Sequence, residues 1–67
     1  MTRRDYILIS RALHEARPNI AEAPEDVAAV ADALWDHICD EVADALAGDN
    51  ARFDKARFIR NCQEGTA

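Results

Sequence analysis

The sequence contains few of the residues that sheets, disulfide frameworks and membrane spans require. Its 67 residues include two glycines, two prolines and two cysteines, and so few turn residues argue against a sheet protein. No run of about eighteen apolar residues is present, and no basic-then-apolar leader opens the chain, so neither membrane insertion nor export is expected. We therefore expect a cytoplasmic protein in which Cys39 and Cys62 stay reduced.

Groups that serve catalysis or metal binding are present only in isolation. Glycine-rich phosphate loops are absent, and Ser10 has no glycine elbow beside it. On a helix His37 and Cys39 would project about 200° apart, and no second His/Cys pair has ligand spacing. A chain this short buries only about 60% of its unfolded surface, which leaves little room for a pocket. We predict a non-enzymatic protein with no catalytic residue, metal or cofactor, and interpret His14 and His37 as surface or boundary residues.

Helical periodicity divides the chain into three segments, separated by turn residues near 18–24 and 48–50. The sequence therefore predicts an all-α, three-helix protein. Its long central acidic amphipathic helix spans about 24–47, and helices at about 2–17 and 54–62 flank it. We expect a single domain over 1–67 with a frayed tail at 63–67.

Local signals mark the ends of the two flanking helices. Thr2 and Asp5 have the spacing of a capping box, in which each side chain bonds to the other's backbone amide. Asp54 is a candidate cap for the last helix, and Phe53 and Phe58 have the spacing of a hydrophobic staple across that cap. We expect Phe58, Ile59 and Cys62 to pack against the central helix.

In the central helix, Pro24 suits the first helical position and Gly48 the C-terminal stop. Apolar residues recur there at spacings of one, three and four, which predicts an apolar face. Trp35 lies at the edge of that face, either as the core anchor between helices or in a partner interface. That face comprises Val27, Ala31, Leu34, Trp35, Ile38, Val42, Ala45 and Leu46.

The net charge is -5, but the charged residues are distributed unevenly along the chain. Residues 18–50 contain nine Asp and Glu and no Lys or Arg, whereas both ends of the chain are mildly basic. Four of these acids are spaced by four, so that each is rotated only about 40° from the last along the helix. We call them the acidic ridge: Asp32, Asp36, Asp40 and Asp44. Like charges at this spacing cost about 0.2–0.5 kcal/mol per pair in an isolated helix.

Two interpretations of the acidic ridge remain open. It is either a solvated face, paired in part with arginines of the flanking helices, or a partner-binding surface to which Glu41 also contributes. A row of carboxylates is suited to dock on the basic groove of a nucleic-acid-binding protein, with salt-sensitive steering.

Alternative functions follow from the ends of the chain and from its size. Arg52, Lys55, Arg57 and Arg60 crowd the last helix after a glycine-containing turn, an outline of helix-turn-helix DNA binding. A sequence pI of about 4.7 argues against such a DNA reader. A homodimeric structural module is the third possibility, because so few residues cannot cover much apolar surface.

The segment from Ala45 to Cys62 carries the pattern A-L-x-x-D-N-x-R-F-D-x-x-R-F-x-x-x-C, and the run from Asp5 to Leu13 reads D-Y-x-x-I-x-x-A-L. Together they cover about two fifths of the chain and resemble small uncharacterised proteins encoded by phages and prophages. The match departs at Ala51, where those proteins often have proline. Small acidic phage proteins include inhibitors of host defence, such as anti-CRISPR proteins, some of which imitate DNA.

This resemblance, taken with the acidic ridge, gives the leading hypothesis. The protein is a phage-type accessory factor in the cytoplasm of a bacterial host. It binds a host or phage protein through Asp32, Asp36, Asp40, Glu41 and Asp44, and inhibits a nucleic-acid-binding machine.

Overall fold

The computed structural model describes residues 2–65, and within that range it contains three helices and no strand. Helix α1 is Arg3–Glu15, helix α2 is Glu25–Asp49 and helix α3 is Lys55–Glu64. The long α2 gives the molecule its elongated shape, about 40 × 19 × 14 Å. The all-α architecture with a long central helix and two flanking helices is therefore confirmed.

The caps at the starts of α1 and α3 form as the sequence predicts. Thr2 N donates to Asp5 Oδ2 at 2.9 Å, and Asp5 N donates to Thr2 Oγ1 at 3.4 Å. The backbone hydrogen bond from Thr2 lowers the pKa of Asp5 below its ordinary value. Asp54 Oδ1 accepts from Arg57 N at 3.0 Å. Local capping chemistry thus fixes where both flanking helices begin.

The ends of α2 differ from the prediction. Pro24 is the N-cap, with a ψ of 148° that is not helical, so the first helical residue is Glu25. Gly48 does not stop the helix, because its φ is not positive and α2 continues to Asp49. Asn50 is the C-cap instead, with an extended φ of -137°. Its Oδ1 accepts from Arg52 N and its Nδ2 donates to Tyr6 Oη, both at 3.0 Å, so a tertiary contact helps to end α2.

The core is a seam between α2 and α3, closed on one side by α1. Its buried apolar residues are Trp35, Cys39 and Ala43 of α2 and Phe58 and Cys62 of α3. Trp35, Cys39 and Ala43 are spaced by four, so they form one row along α2. Two of the three are small, which allows the neighbouring helices to approach closely. The predictions that Trp35 anchors the core and that Phe58, Ile59 and Cys62 pack against it are confirmed.

Trp35 connects α2 to α1 through its polar edge as well as its ring. Its Nε1 donates to the carbonyl oxygen of Leu13 at 2.9 Å, near the end of α1, where carbonyls have no partner within the helix. The guanidinium of Arg17 lies 4.8 Å from the centre of the indole ring, within the range of a cation–π contact. The indole therefore satisfies a helix end and supports the start of the α1–α2 loop.

The buried face predicted for α2 is confirmed at Trp35, Val42 and Leu46 and is wrong at Val27, Leu34 and Ile38. Leu34 is 58% exposed, Ile38 is 44% exposed and Val27 is also exposed, whereas Trp35 is 4% exposed. One residue along a helix is a rotation of about 100°. The flanking helices pack on the side that carries Trp35 and the small residues, with Val42 and Leu46 against its edge, and leave Val27, Leu34 and Ile38 uncovered.

Helix α3 is also fixed to α1, near the C-terminal ends of both. His14 Nδ1 donates to the carbonyl oxygen of Cys62 at 2.8 Å. Gly65 caps α3 with a φ of 72°, and a Cβ there would lie 2.6 Å from His14 Nε2. Of the tail predicted to fray, 63–64 complete α3 and residue 65 caps it, while residues 66 and 67 lie outside the described part of the chain.

Trp35→Phe tests whether the indole sets the register of α2. Phenylalanine keeps most of the ring but leaves the Leu13 carbonyl without its donor, so we expect the free energy of unfolding to fall by about 1–3 kcal/mol. Urea unfolding followed by circular dichroism measures it.

Leu34→Ala is the matched control, because it truncates the adjacent exposed residue. It should change stability by no more than about 0.5 kcal/mol. A larger loss for Leu34→Ala than for Trp35→Phe would contradict the observed register.

Candidate functional site

The two ends of the acidic ridge are tied to basic residues of other segments. Arg17 Nη2 lies 3.1 Å from Asp32 Oδ1, and Lys55 Nζ lies 2.6 Å from Asp44 Oδ1. The hydrogen bond from Lys55 to Asp44 raises the pKa of that lysine. All four side chains are substantially exposed, and exposed pairs of this kind contribute only about 0–1 kcal/mol each. Asp32 is thus paired with an arginine just beyond α1, and Asp44 is paired with a lysine of α3.

The centre of the acidic ridge has no such partners. Asp36 and Asp40 are exposed, and neither forms a hydrogen bond or an ion pair with any residue from 2 to 65. They are four residues apart on α2, so their charges lie side by side and repel. The middle of the row therefore has no direct ion pair, although the charge of Asp40 contributes to the raised pKa of Lys55.

Glu41 does not belong to the acidic ridge. It lies three residues after Ile38 and seven after Leu34, so it shares their side of α2. Asp40 is rotated about 100° away from it. Of the five residues assigned to the partner-binding surface, four lie along one row and Glu41 lies apart from them.

An exposed row of aliphatic side chains follows the first two-thirds of α2. We call it the apolar strip: Val27, Val30, Leu34 and Ile38. Leu34 and Asp36 are two residues apart and so about 200° apart around the helix. The apolar strip and the acidic ridge therefore lie on opposite sides of α2. Sequence reasoning missed the strip because it assigned three of its members, Val27, Leu34 and Ile38, to the buried face.

The four basic residues near the C-terminus do not form one surface. Lys55 is paired with Asp44 of the acidic ridge. Arg52 and Arg57 line a cleft with Arg3 of α1. Arg60 is exposed and lies outside that cleft. The four basic residues proposed for DNA binding therefore lie in three places: at the acidic ridge, at the cleft and on the exposed surface of α3.

His14 and Ser10 form hydrogen bonds within the fold, and His37 faces solvent. His14 is half-buried and bonded to the Cys62 carbonyl, and His37 is exposed. Ser10 is buried, and its hydroxyl donates to the carbonyl oxygen of Ile7 at 2.9 Å. Among residues 2–65 no group of three or more His, Cys, Asp or Glu side chains could hold a metal ion.

Comparisons with known proteins give no match. No protein-family model matches the chain, and neither curated proteins nor solved structures show significant similarity to it. Within the described residues, no helix combines the length and apolar character needed to cross a bilayer. The resemblance to phage and prophage proteins therefore depends on its sequence patterns alone and stays a prediction.

The two free cysteines lie together in the core. Burial raises the pKa of Cys62 to about 12, and the neighbouring Cys39 adds to the rise. Burial also raises the pKa of Cys39, partly offset by a hydrogen bond with Cys62. Since the thiolate is the reactive form of cysteine, both thiols should be inert in the folded protein.

We predict that neither thiol reacts with a disulfide reagent at pH 8 until the protein unfolds. The pKa of Cys62 is higher in the folded protein than in the unfolded chain, so the folded protein keeps the thiol proton to a higher pH. The free energy of unfolding should therefore decrease as pH rises from about 9 toward about 12. Absorbance of the released thiol measures the reaction. Protein in urea is the control and should release two equivalents; rapid release from folded protein would contradict the buried assignment.

Proposed function

We propose that this protein is a non-enzymatic accessory factor that binds a nucleic-acid-binding protein of a phage or its host through the acidic ridge. The bound ridge would occupy a surface that otherwise contacts phosphate, and so inhibit that protein. The observation that carries the proposal is the absence of partners for Asp36 and Asp40 among residues 2–65.

The geometry of α2 suits contact with a basic groove. Four residues of α-helix rise about 6 Å, so the ridge presents a carboxylate at about that interval over roughly 18 Å. The segment 18–50 contains no Lys or Arg that could screen the row from its own helix. Among residues 2–65, ion pairs form at the two end residues alone, with Arg17 and Lys55. A partner would therefore meet its strongest field at the centre of the ridge.

The arrangement also has a cost that folding alone does not require. Repulsion between like charges four apart destabilises a helix, and aspartate is a poor residue for a helix interior. Lysine or glutamine at Asp36 or Asp40 would keep the face polar without that repulsion. A binding role gives a reason for the cost, because opposite charges on a partner would convert repulsion into attraction.

The biological context of the proposal comes from the sequence resemblance. Phage proteins of this size and charge include anti-CRISPR inhibitors and DNA mimics, and the exposed ridge is compatible with either role. Shape and charge would perform the inhibition, so no reaction and no cofactor are needed.

Reversal of the central charges tests the proposal. The purified protein would be immobilised and exposed to nuclease-treated lysate of its native host. We expect it to capture nucleic-acid-binding proteins at about 50 mM salt, and to release them at about 500 mM salt, where ionic contacts are screened. Duplex DNA added as a competitor should also release them. Asp36→Lys/Asp40→Lys should abolish capture while circular dichroism shows unchanged helicity.

Glu15→Lys/Glu64→Lys is the matched control. It makes the same change in net charge, from -5 to -1 because each substitution changes the charge by two, at exposed positions on α1 and α3. It should capture the same proteins as the unchanged chain. Capture that survives Asp36→Lys/Asp40→Lys, or is lost equally in the control, would refute the ridge as the binding surface.

A second candidate function, a homodimeric module, is favoured by the apolar strip. Leu34 and Val30 are 58% and 68% exposed, and a second copy could cover them strip to strip. The two acidic ridges would then point away from each other, because each lies on the far side of its own α2. Repulsion between the two ridges would therefore not oppose this pairing, and Glu41 is the charge on the side of the strip that the pairing would have to accommodate.

Sedimentation equilibrium tests the dimer. The unchanged chain should have twice the monomer mass, and Leu34→Glu/Ile38→Glu should return it to one chain without loss of helicity, because charges introduced into a buried interface prevent its formation. A mass of one chain for the unchanged protein at high micromolar concentration would eliminate this candidate.

A further inference from the structure

A cleft of about 390 Å³ lies between α1, α3 and the turn that joins α2 to α3. Its volume falls within the range of about 300–1,000 Å³ that is typical of small-molecule sites. Phe58 is buried, and Tyr6, Ile7 and Phe53 are half-buried, so these residues form its apolar inner wall. The three arginines that line it, Arg3, Arg52 and Arg57, are exposed. The cleft therefore combines an aromatic interior with a cationic rim.

The inner wall is held by specific contacts. The rings of Tyr6 and Phe53 are 4.8 Å apart between centroids, and those of Phe53 and Phe58 are 5.4 Å apart, both tilted. Asn50 joins the wall to the turn, since its side chain bonds to Tyr6 Oη and to the backbone amide of Arg52. Most of the wall is thus positioned before any ligand enters, which lowers the entropic cost of binding.

The positive charge of the rim has little internal compensation. No side chain within residues 2–65 forms an ion pair with Arg3, Arg52 or Arg57. Asp54 also lines the cleft, but its carboxylate already accepts the backbone amide of Arg57 as the cap of α3. Three guanidinium groups around one carboxylate leave a cationic site on a protein whose net charge is -5.

We propose that this cleft binds a nucleoside phosphate unit. Guanidinium groups bind phosphate oxygens in bidentate fashion, and arginine planes and aromatic rings both stack on nucleobases. The half-buried Tyr6 and Phe53 rings suit the base, and the arginines suit the phosphate. The unit is either a free nucleotide or one nucleotide of a single strand. This site is separate from the acidic ridge, so the proposal does not depend on the proposed function.

Isothermal titration calorimetry of the full chain tests the site. Adenosine 5′-monophosphate should bind at low salt, and both adenosine and inorganic phosphate should bind at least about tenfold more weakly, because each lacks half of the recognised groups. Arg57→Gln and Arg52→Gln should each weaken the monophosphate by about tenfold, the usual loss for one charged hydrogen-bonding group. Helicity should be unchanged, since both side chains are exposed.

Arg60→Gln is the matched control, because it removes the same charge from α3 outside the cleft. It should leave the affinity for the monophosphate within about twofold of the unchanged chain. Equal weakening by Arg60→Gln and Arg57→Gln would show diffuse ionic attraction and overturn the proposal. No heat of binding at millimolar monophosphate, or phosphate alone binding as tightly, would also overturn it.

A ten-nucleotide single strand distinguishes the two sources of the ligand. Tighter binding of the strand than of the monophosphate, sensitive to Arg57→Gln and not to Arg60→Gln, supports a nucleotide within nucleic acid. Binding of the monophosphate without tighter binding of the strand supports a free nucleotide. Strand binding that neither Arg57→Gln nor Arg52→Gln weakens would place it elsewhere and count against the cleft.

Discussion

The contact of Trp35 with the end of α1 is the constraint on which the rest of the structure depends. Its indole donates to the Leu13 carbonyl while its ring belongs to the same buried cluster as Cys39 and Phe58. This fixes the rotation of α2 about its own axis, because the residue cannot be buried and bonded in any other register. That rotation decides which other residues of α2 face solvent. The acidic ridge and the apolar strip are both consequences of where one side chain is buried.

The sequence was sufficient for the features that local chemistry determines and insufficient for those that packing determines. The helices, the Thr2–Asp5 capping box and the Asp54 cap follow from side chains and amides a few residues apart. The buried face of α2 does not, because a hydrophobicity pattern ranks Leu34 and Ile38 above Cys39 and Ala43. The core contains the smaller Cys39 and Ala43 instead, and they allow α3 to approach α2 closely. The cleft was also beyond prediction, since it needs Arg3 brought beside residues some fifty positions away.

Opposite charges are kept in separate regions of a very small surface. The carboxylates of the acidic ridge occupy one side of α2, and the guanidinium groups of the cleft occupy the end where α1 and α3 begin. In the described part of the chain, Arg17 and Lys55 are the two basic residues that form ion pairs with the ridge, one at each end. If the fold served only to neutralise the nine acids of residues 18–50, more arginines would form ion pairs with them. Two proposed ligands of opposite sign therefore need not compete for the same surface.

The length of α2 has a consequence for how stability is distributed. Its 25 residues exceed the 13 of α1 and the 10 of α3, and its buried side chains all lie at or beyond Trp35. The turns from Glu25 to Leu34 therefore depend on helix propensity and on a loop contact through Arg17, and isolated helical turns are marginal in water. Any molecule that covered the apolar strip would also complete the fold of these turns. At that end of the molecule, the free energy of binding would therefore contribute directly to the stability of the folded turns.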